Sequence, residues 1–298
     1  MMIWKDLIKY FISFVTIYFI FNKYGNNIYN ILILIDIRYI LLIIFLSFIQ
    51  YMISAYRWMY ISRFTNLDIN FFYSLKFYYI SSFMNNILPG GIVGDIFRIY
   101  HSADNKKEIL RMGKSFQSVI FERLSGQLML FAFFIVSLTL YFLVNGKYQA
   151  FWYLVIPTII IFFICNKILA KKTAEISNSR QISKNFLRIF SGEIFWKHFF
   201  LSFFVVSSYI LIYIISAISL GLDIDYLAFL VFSPIILFSM TLPISIGGCG
   251  VREVTALVVS LLLGLSASAS ISVSIIYGLL NLLCSLPGLY FFISLRSS

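Results

Sequence analysis

Six stretches of the 298-residue chain are apolar over nearly the length of a bilayer crossing: 7–21, 39–59, 118–144, 151–169, 199–220 and 271–293. A spanning helix needs about 20 such residues to cross about 30 Å of hydrocarbon. Inside that layer, only helices and closed barrels satisfy their own backbone polar groups. The rest of the composition agrees. Hydrophobic residues make up 61% of the chain and charged residues 12%, against about 25% in soluble domains. With a mean hydropathy of +0.93, there is too little polar surface to cover a globule in water. Disorder, collagen-like repeats, a coiled coil and a soluble domain are excluded. Cys165, Cys249 and Cys284 are odd in number and sit in apolar surroundings, so no disulfide scaffold is expected. The fold class is an all-α polytopic membrane protein.

The net charge of +11 then becomes a question of sides. With the N-terminus in the cytoplasm, the inner stretches carry Lys5, Lys9, Arg57, Arg63, Arg98, Lys106, Lys107, Arg111, Lys114 and Arg123. The 170–197 region and its approach add Lys167, Lys171, Lys172, Arg180, Lys184, Arg188 and Lys197, which makes seventeen inside against Lys23, Arg38 and Lys147 outside. This is the positive-inside pattern of an inner-membrane protein with a cytoplasmic N-terminus. It places the basic excess against anionic headgroups and calls for no nucleic-acid partner. Lys5 and Lys9 precede an apolar run as in a signal peptide, but the bulky, polar Phe21-Asn22-Lys23-Tyr24 that follows offers no small-residue cleavage site.

Two further apolar runs are interrupted. Residues 69–84 break at Asn85-Asn86-Ile87-Leu88-Pro89-Gly90-Gly91 and resume at 92–100; residues 226–241 break at 242–250 and resume at 251–264. At 1.5 Å per residue, the first limbs reach only about 24 Å, so each region reads as a re-entrant pair or a broken helix. The breaks share a pattern: Leu88-Pro89, Gly94 and Arg98 in the first, and Leu242-Pro243, Gly248 and Arg252 in the second. Each follows two spans and precedes a third. Three crossings per half place the halves upside down to one another, giving an inverted repeat with halves near 1–146 and 147–298. Gly/Pro-interrupted segments at matching positions point to a midplane transport site. Irregular backbone at that depth persists only where protein or a polar cavity satisfies it. The restarted helices also aim their positive ends at the gap.

Charges within apolar segments are costly and default to function. Asp95 and Arg98, three apart, share a helix face and can pair. Glu122-Arg123 opens the third span, and Arg252-Glu253 opens the helix after the second break. Neighbouring helical residues point about 100° apart, so one member of each doublet is expected to face a cavity and the other a structural partner. The six charges cancel. Arginine suits an anionic ligand because its planar fork meets phosphate oxygens bidentately. Asn85 and Asn86 serve either the turn or a ligand. His101 and His198 stand apart from any Cys or acidic cluster, and no P-loop, GxSxG or HExxH motif occurs. No metal, cofactor or catalytic residue is expected.

In order and spacing, NNILPGGIVGDIFRIY, FERLSG and LPISIGGCGVRE resemble the lysylphosphatidylglycerol synthase transmembrane-region family, the flippase-like domain. The resemblance marks Asn86, Pro89, Gly90, Gly94, Asp95, Arg98, Glu122, Arg123 and Gly126 in the first half, where Gly91 of the same break is a further candidate. In the second it marks Pro243, Gly247, Gly248, Gly250, Arg252 and Glu253. Cys249 stands where the family usually has an apolar residue. The resemblance implies the translocating half of proteins that make and move aminoacylated phosphatidylglycerol. No aminoacyltransferase sequence follows the last span, so synthesis is not expected of these 298 residues.

The expected function is translocation of an anionic lipid headgroup, held by Arg98, Arg252 and the Gly-rich backbone. The alternatives are a membrane enzyme using polyprenyl-phosphate sugar donors, with Asp95, Glu122 or Glu253 as general base, and a scaffold for a separate synthase on the 170–197 region. Expected partners are the membrane and an anionic phospholipid or polyprenyl-phosphate-linked lipid. A cytoplasmic synthase, an envelope glycosyltransferase or a second copy in a homodimer are further candidates.

Overall fold

The structure is a computed structural model and describes residues 2–103, 109–146, 194–222, 225–242, 245–263 and 266–296. All elements among them are helices: α1 Met2–Leu32, α2 Ile37–Phe64, α3 Phe71–Ile87, α4 Val93–Ser102, α5 Ile109–Val144, α6 Phe195–Ser219, α7 Tyr226–Ser239, α8 Val251–Leu263, α9 Ala267–Ser285 and α10 Pro287–Arg296. Four segments are long and apolar enough to cross a membrane: α2, Arg111–Val144 of α5, α6, and the run Ala267–Leu295 through α9 and α10. They coincide with the stretches expected at 39–59, 118–144, 199–220 and 271–293. The 7–21 stretch lies within α1, which is not among the four. The 151–169 stretch lies outside the described residues, as do Pro243 and all of the basic 170–197 region before residue 194.

The first break folds as a helical hairpin. After Leu88–Ile92 the chain doubles back, so that Phe97 on α4 lies against Phe77 on α3, and His101 meets the same ring at 5.3 Å between centroids. Gly94 makes the closeness of the limbs possible, since a Cβ there would lie 2.0 Å from the Ser81 carbonyl oxygen. Asn85 ties the turn: its Oδ1 accepts the Gly94 N–H at 2.8 Å. That bond satisfies an orphan donor in the first turn of α4, where Ile92 has no capping side chain. In the second region α8 packs back along α7, with Ala256 and Val259 beside Phe229, Ser233 and Ile236.

The two breaks meet each other. Pro89 and Ile246 form an antiparallel bridge, and the Gly90 N–H donates to the Ser245 carbonyl at 3.0 Å. Gly247 has φ +54°, and a Cβ there would meet the Asn86 carbonyl oxygen at 2.5 Å. A side chain at that point would force the breaks apart.

The packing relations repeat between the halves. In the first, α2 packs on α3 and α5, α3 on α4, and α4 on α5; in the second, α6 packs on α7 and α9, α7 on α8, and α8 on α9. The cross-contacts also exchange, with α5–α7 matched by α9–α3 and α5–α6 by α9–α2, while α2 packs on its own counterpart α6. The main apolar core joins α5, α6, α7, α8 and α9 around Tyr213, Ile236, Ala256 and Tyr277. A second core, around Trp58, Phe77 and Ile80, closes against α10. Buried serines return their hydroxyls to the preceding turn, as Ser216 does to Ile212 and Ser272 to Ser268. Short, self-satisfied side chains of this kind let apolar helices approach closely.

Candidate functional site

A cavity of about 220 Å³ lies beside the meeting point of the breaks. The first half supplies Arg57 from α2, Tyr78, Asn85 and Asn86 from α3, Asp95 and Arg98 from α4, and Glu122, Arg123 and Gly126 from α5. The second half supplies Tyr209 from α6, Met240 and Thr241 at the end of α7, Gly247 from the break, and Tyr277 and Asn281 from α9.

The charges form one alternating chain. Arg57 Nη2 lies 2.5 Å from Glu122 Oε1, and Arg98 Nη2 lies 2.8 Å from Glu122 Oε2. The same Arg98 nitrogen reaches Asp95 Oδ1 at 3.0 Å, and Arg123 pairs with Asp95 Oδ2. Arg57, Arg98 and Glu122 are 2–3% exposed. Water screens such pairs little, and removing one member strands a buried charge at a cost of about 3–5 kcal/mol. The Arg98 guanidinium also sits between aromatic faces, 4.5 Å from the Trp58 ring and 5.0 Å from that of Tyr78. Cation–π attraction of this kind gains strength where water is excluded.

The carboxylate oxygens all have a partner. Besides the guanidinium groups, Glu122 Oε1 accepts from Tyr78, while Asp95 accepts from Ser81 at Oδ1 and Asn85 at Oδ2. The donors do not all have one. Arg57 Nε and Arg98 Nε are buried without an acceptor among the described residues. Arg123, at 30% side-chain exposure the most accessible member, also donates to the Gly91 carbonyl at 2.7 Å. The seam between the halves is polar as well, since Asn281 donates to Asn86 Oδ1 and Asn86 donates to Ser285, both at 3.2 Å.

The expected residues among those described divide into three sets. Asn86, Gly91, Asp95, Arg98, Glu122, Arg123, Gly126 and Gly247 line the cavity; Pro89, Gly90, Gly94, Gly248 and Gly250 build the turns behind it. Arg252 and Glu253 do not line it. They bond to each other at 2.6 Å, and Ser274 joins both. Glu253 Oε2 also accepts the Gly250 N–H at 2.6 Å, so it caps the first turn of α8 as the third-position glutamate of a capping box does. The expected division of labour within each doublet therefore fails twice. Glu122 and Arg123 both line the cavity, whereas Arg252 and Glu253 pair with one another.

Arg57 is a cavity residue that the sequence reading does not single out. Counted in the sequence only among the charges of the inner stretches, it is 3% exposed and paired with Glu122 across 65 positions. Its place within the 39–59 span was the available signal, since a charge in an apolar segment marks function before topology. Tyr78, Tyr209 and Asn281 carried no such mark. Among the described residues, no group of three His, Cys, Asp or Glu side chains could hold a metal ion.

Comparison with known proteins bears on identity without naming a function. Neither the curated proteins nor the solved structures compared with the chain give a match. The family model described as the Lysylphosphatidylglycerol synthase TM region matches residues 7–288, and the chain, a multi-pass membrane protein, belongs to that family.

Proposed function

We propose that the protein translocates a lipid with an anionic headgroup across the inner membrane, with the headgroup passing through the cavity and the tails remaining in lipid. The observation that carries this reading is the placement of a polar, donor-rich cavity where two hairpin breaks meet inside an otherwise apolar bundle. Irregular backbone and buried charge are both expensive in a membrane and are retained where a pathway requires them. In this reading Arg98 and Arg57 hold the headgroup, Arg123 stands at its more exposed edge, and the Gly-rich turns let the breaks approach it.

The exchange of packing partners between α2–α5 and α6–α9 supports an inverted repeat. The N-terminus then lies in the cytoplasm, the first hairpin enters from inside and the second from outside, and the tips meet near midplane. Relative rocking of the halves around a fixed central site would expose the cavity to each side in turn. Each oxygen of Asp95 and Glu122 is paired with a guanidinium group, which favours a structural and electrostatic role for the two carboxylates over general-base catalysis. The test is reconstitution into liposomes with a trace of headgroup-labelled phosphatidylglycerol. Wild type should render the inner-leaflet label accessible and Arg98→Ala should not. Equal accessibility with both, or none with wild type toward any anionic lipid, rejects the proposal.

A further inference from the structure

We infer that His198 is a proton-binding site coupled to the cavity, so that an anionic headgroup and a proton are taken up together. The purpose rests on the translocation reading; the coupling does not. In the sequence His198 belongs to no cluster, but the fold brings it to the end of the ion chain. It is 3% exposed, in the first turn of α6. Ser202, one turn further along the same face, accepts from Arg57 Nη1 at 3.4 Å. The imidazole is close enough to Arg57 and Glu122 to feel both charges. An ionisable group buried in a spanning segment defaults to function, and histidine is the side chain that ordinarily changes charge near neutral pH.

A proton carrier needs a way in from water and a neighbouring charge that changes its proton affinity. The way in is short. Lys197, the preceding residue, is exposed, with Nζ 5.3 Å and 4.8 Å from the ring centres of Tyr56 and Tyr60 near the end of α2. Trp196 is 65% exposed. His198 therefore lies one step inside the rim where α2 ends and α6 begins.

The neighbouring charge is the chain itself. Of the helices packed on α6, α2 brings Arg57 and α5 brings Glu122 within reach of His198. The other two, α7 and α9, carry no charged residue, and their titratable groups are Tyr226, Tyr277 and Cys284. Arg57, Arg98 and Arg123 against Asp95 and Glu122 leave one positive charge in excess at the cavity. A proton on His198 adds a second beside Arg57, which is costly at low dielectric. A headgroup phosphate in the cavity offsets that cost. Headgroup binding therefore raises the proton affinity of His198, and by linkage protonation tightens headgroup binding by the same factor. One ring nitrogen gains one proton and no other bond changes. The anion and its proton together add no net charge, so a membrane potential does not oppose their movement as it opposes that of a bare anion.

The experiment uses the full chain in detergent, with short-chain phosphatidylglycerol as the probe. Calorimetric titration in buffers of different ionisation enthalpy counts the protons taken up per lipid bound. Wild type and His101→Gln should take up part of one proton, and His198→Gln should bind the lipid with none. Wild-type affinity should fall about tenfold between about pH 5.5 and 7.5, and that of His198→Gln less than about twofold. A second measurement leaves His198 in place. The chain has two histidines, so the His101→Gln protein carrying isotope-labelled histidine reports His198 alone by NMR. Its titration midpoint should rise by about one pH unit or more when lipid binds. Proton uptake absent from wild type or undiminished in His198→Gln, a midpoint unmoved by lipid, or no binding of phosphatidylglycerol by wild type overturns the inference. Flux in liposomes with and without a pH gradient separates the two proposals. Lipid-linked protonation without flux keeps the proton site and removes translocation. Flux indifferent to the gradient, with no lipid-linked protonation, does the reverse.

Discussion

The guanidinium of Arg252 lies flat against Gly278: a Cβ added there would sit 2.0 Å from Arg252 Nη2 and 2.7 Å from its Cζ. The bare glycine surface on α9 gives the Arg252–Glu253 pair and the face of Tyr277, 5.6 Å away, room to close the second hairpin.

Gly278→Ala should therefore push Arg252 off Glu253 and Ser274. The expected loss is about 2–4 kcal/mol, from overpacking of about 1–3 kcal/mol plus a weakened buried pair. In the Arg252→Lys background the same change should cost less, because the thinner ammonium does not occupy the space over residue 278. Denaturation of the four proteins of this double-mutant cycle provides the check, and additive losses would show that the contact is not what matters.

Gly94→Ala meets the backbone carbonyl of Ser81 instead of a side-chain tip, so no rotamer relieves it. The hairpin limbs must separate, and the variant should lose more than about 3 kcal/mol and distort the cavity, since Asp95 and Arg98 follow directly. Gly113→Ala, with nothing within 4 Å of the added Cβ, is the matched control and should gain up to about 1 kcal/mol from helix propensity. Thermal unfolding of the two variants in the same detergent would reveal the contrast.

Glu122→Gln should be among the most damaging single changes to the ion chain, at about 3–5 kcal/mol, because it leaves both Arg57 and Arg98 facing a neutral amide. Combining it with Arg57→Gln should cost less than the sum of the two. A simple sum would mean that the pair is not coupled.

Pro89 and Ile246 face one another across an antiparallel bridge, a spacing of about 4.5–5.5 Å between Cα atoms that a disulfide can span. With Cys165, Cys249 and Cys284 replaced by Ser, the Pro89→Cys/Ile246→Cys protein should cross-link under mild oxidant, read as a mobility change after proteolysis between the halves. If the tips part during transport, the cross-linked form should lose flux and reductant should restore it.

Much of the site was legible in the sequence, and the illegible part has a common cause. Asp95 and Arg98 were readable as partners because three residues is a helical neighbour distance, and their side chains meet at 3.0 Å. Asn85, placed either on the turn or on a ligand, both ties the turn at Gly94 and lines the cavity. Arg57 escaped because its partner Glu122 is 65 positions away, on a helix that only packing brings alongside. Arg252 matched Arg98 in the repeated pattern, yet it faces away from the cavity, because Glu253 beside it and Gly278 behind it supply a closer berth.

What the amino-acid sequence by itself determined is therefore local in origin: apolar lengths that demand helices, Gly/Pro breaks that interrupt them at matched positions, and charges too costly to bury without purpose. Each follows from transfer free energy and backbone sterics within a few residues. Tertiary structure alone decided that the first break folds back as a hairpin, that the two tips meet, and which arginines join the cavity. Those outcomes depend on which helix faces which, and that choice follows from side-chain shape and pairing between segments that the sequence keeps far apart.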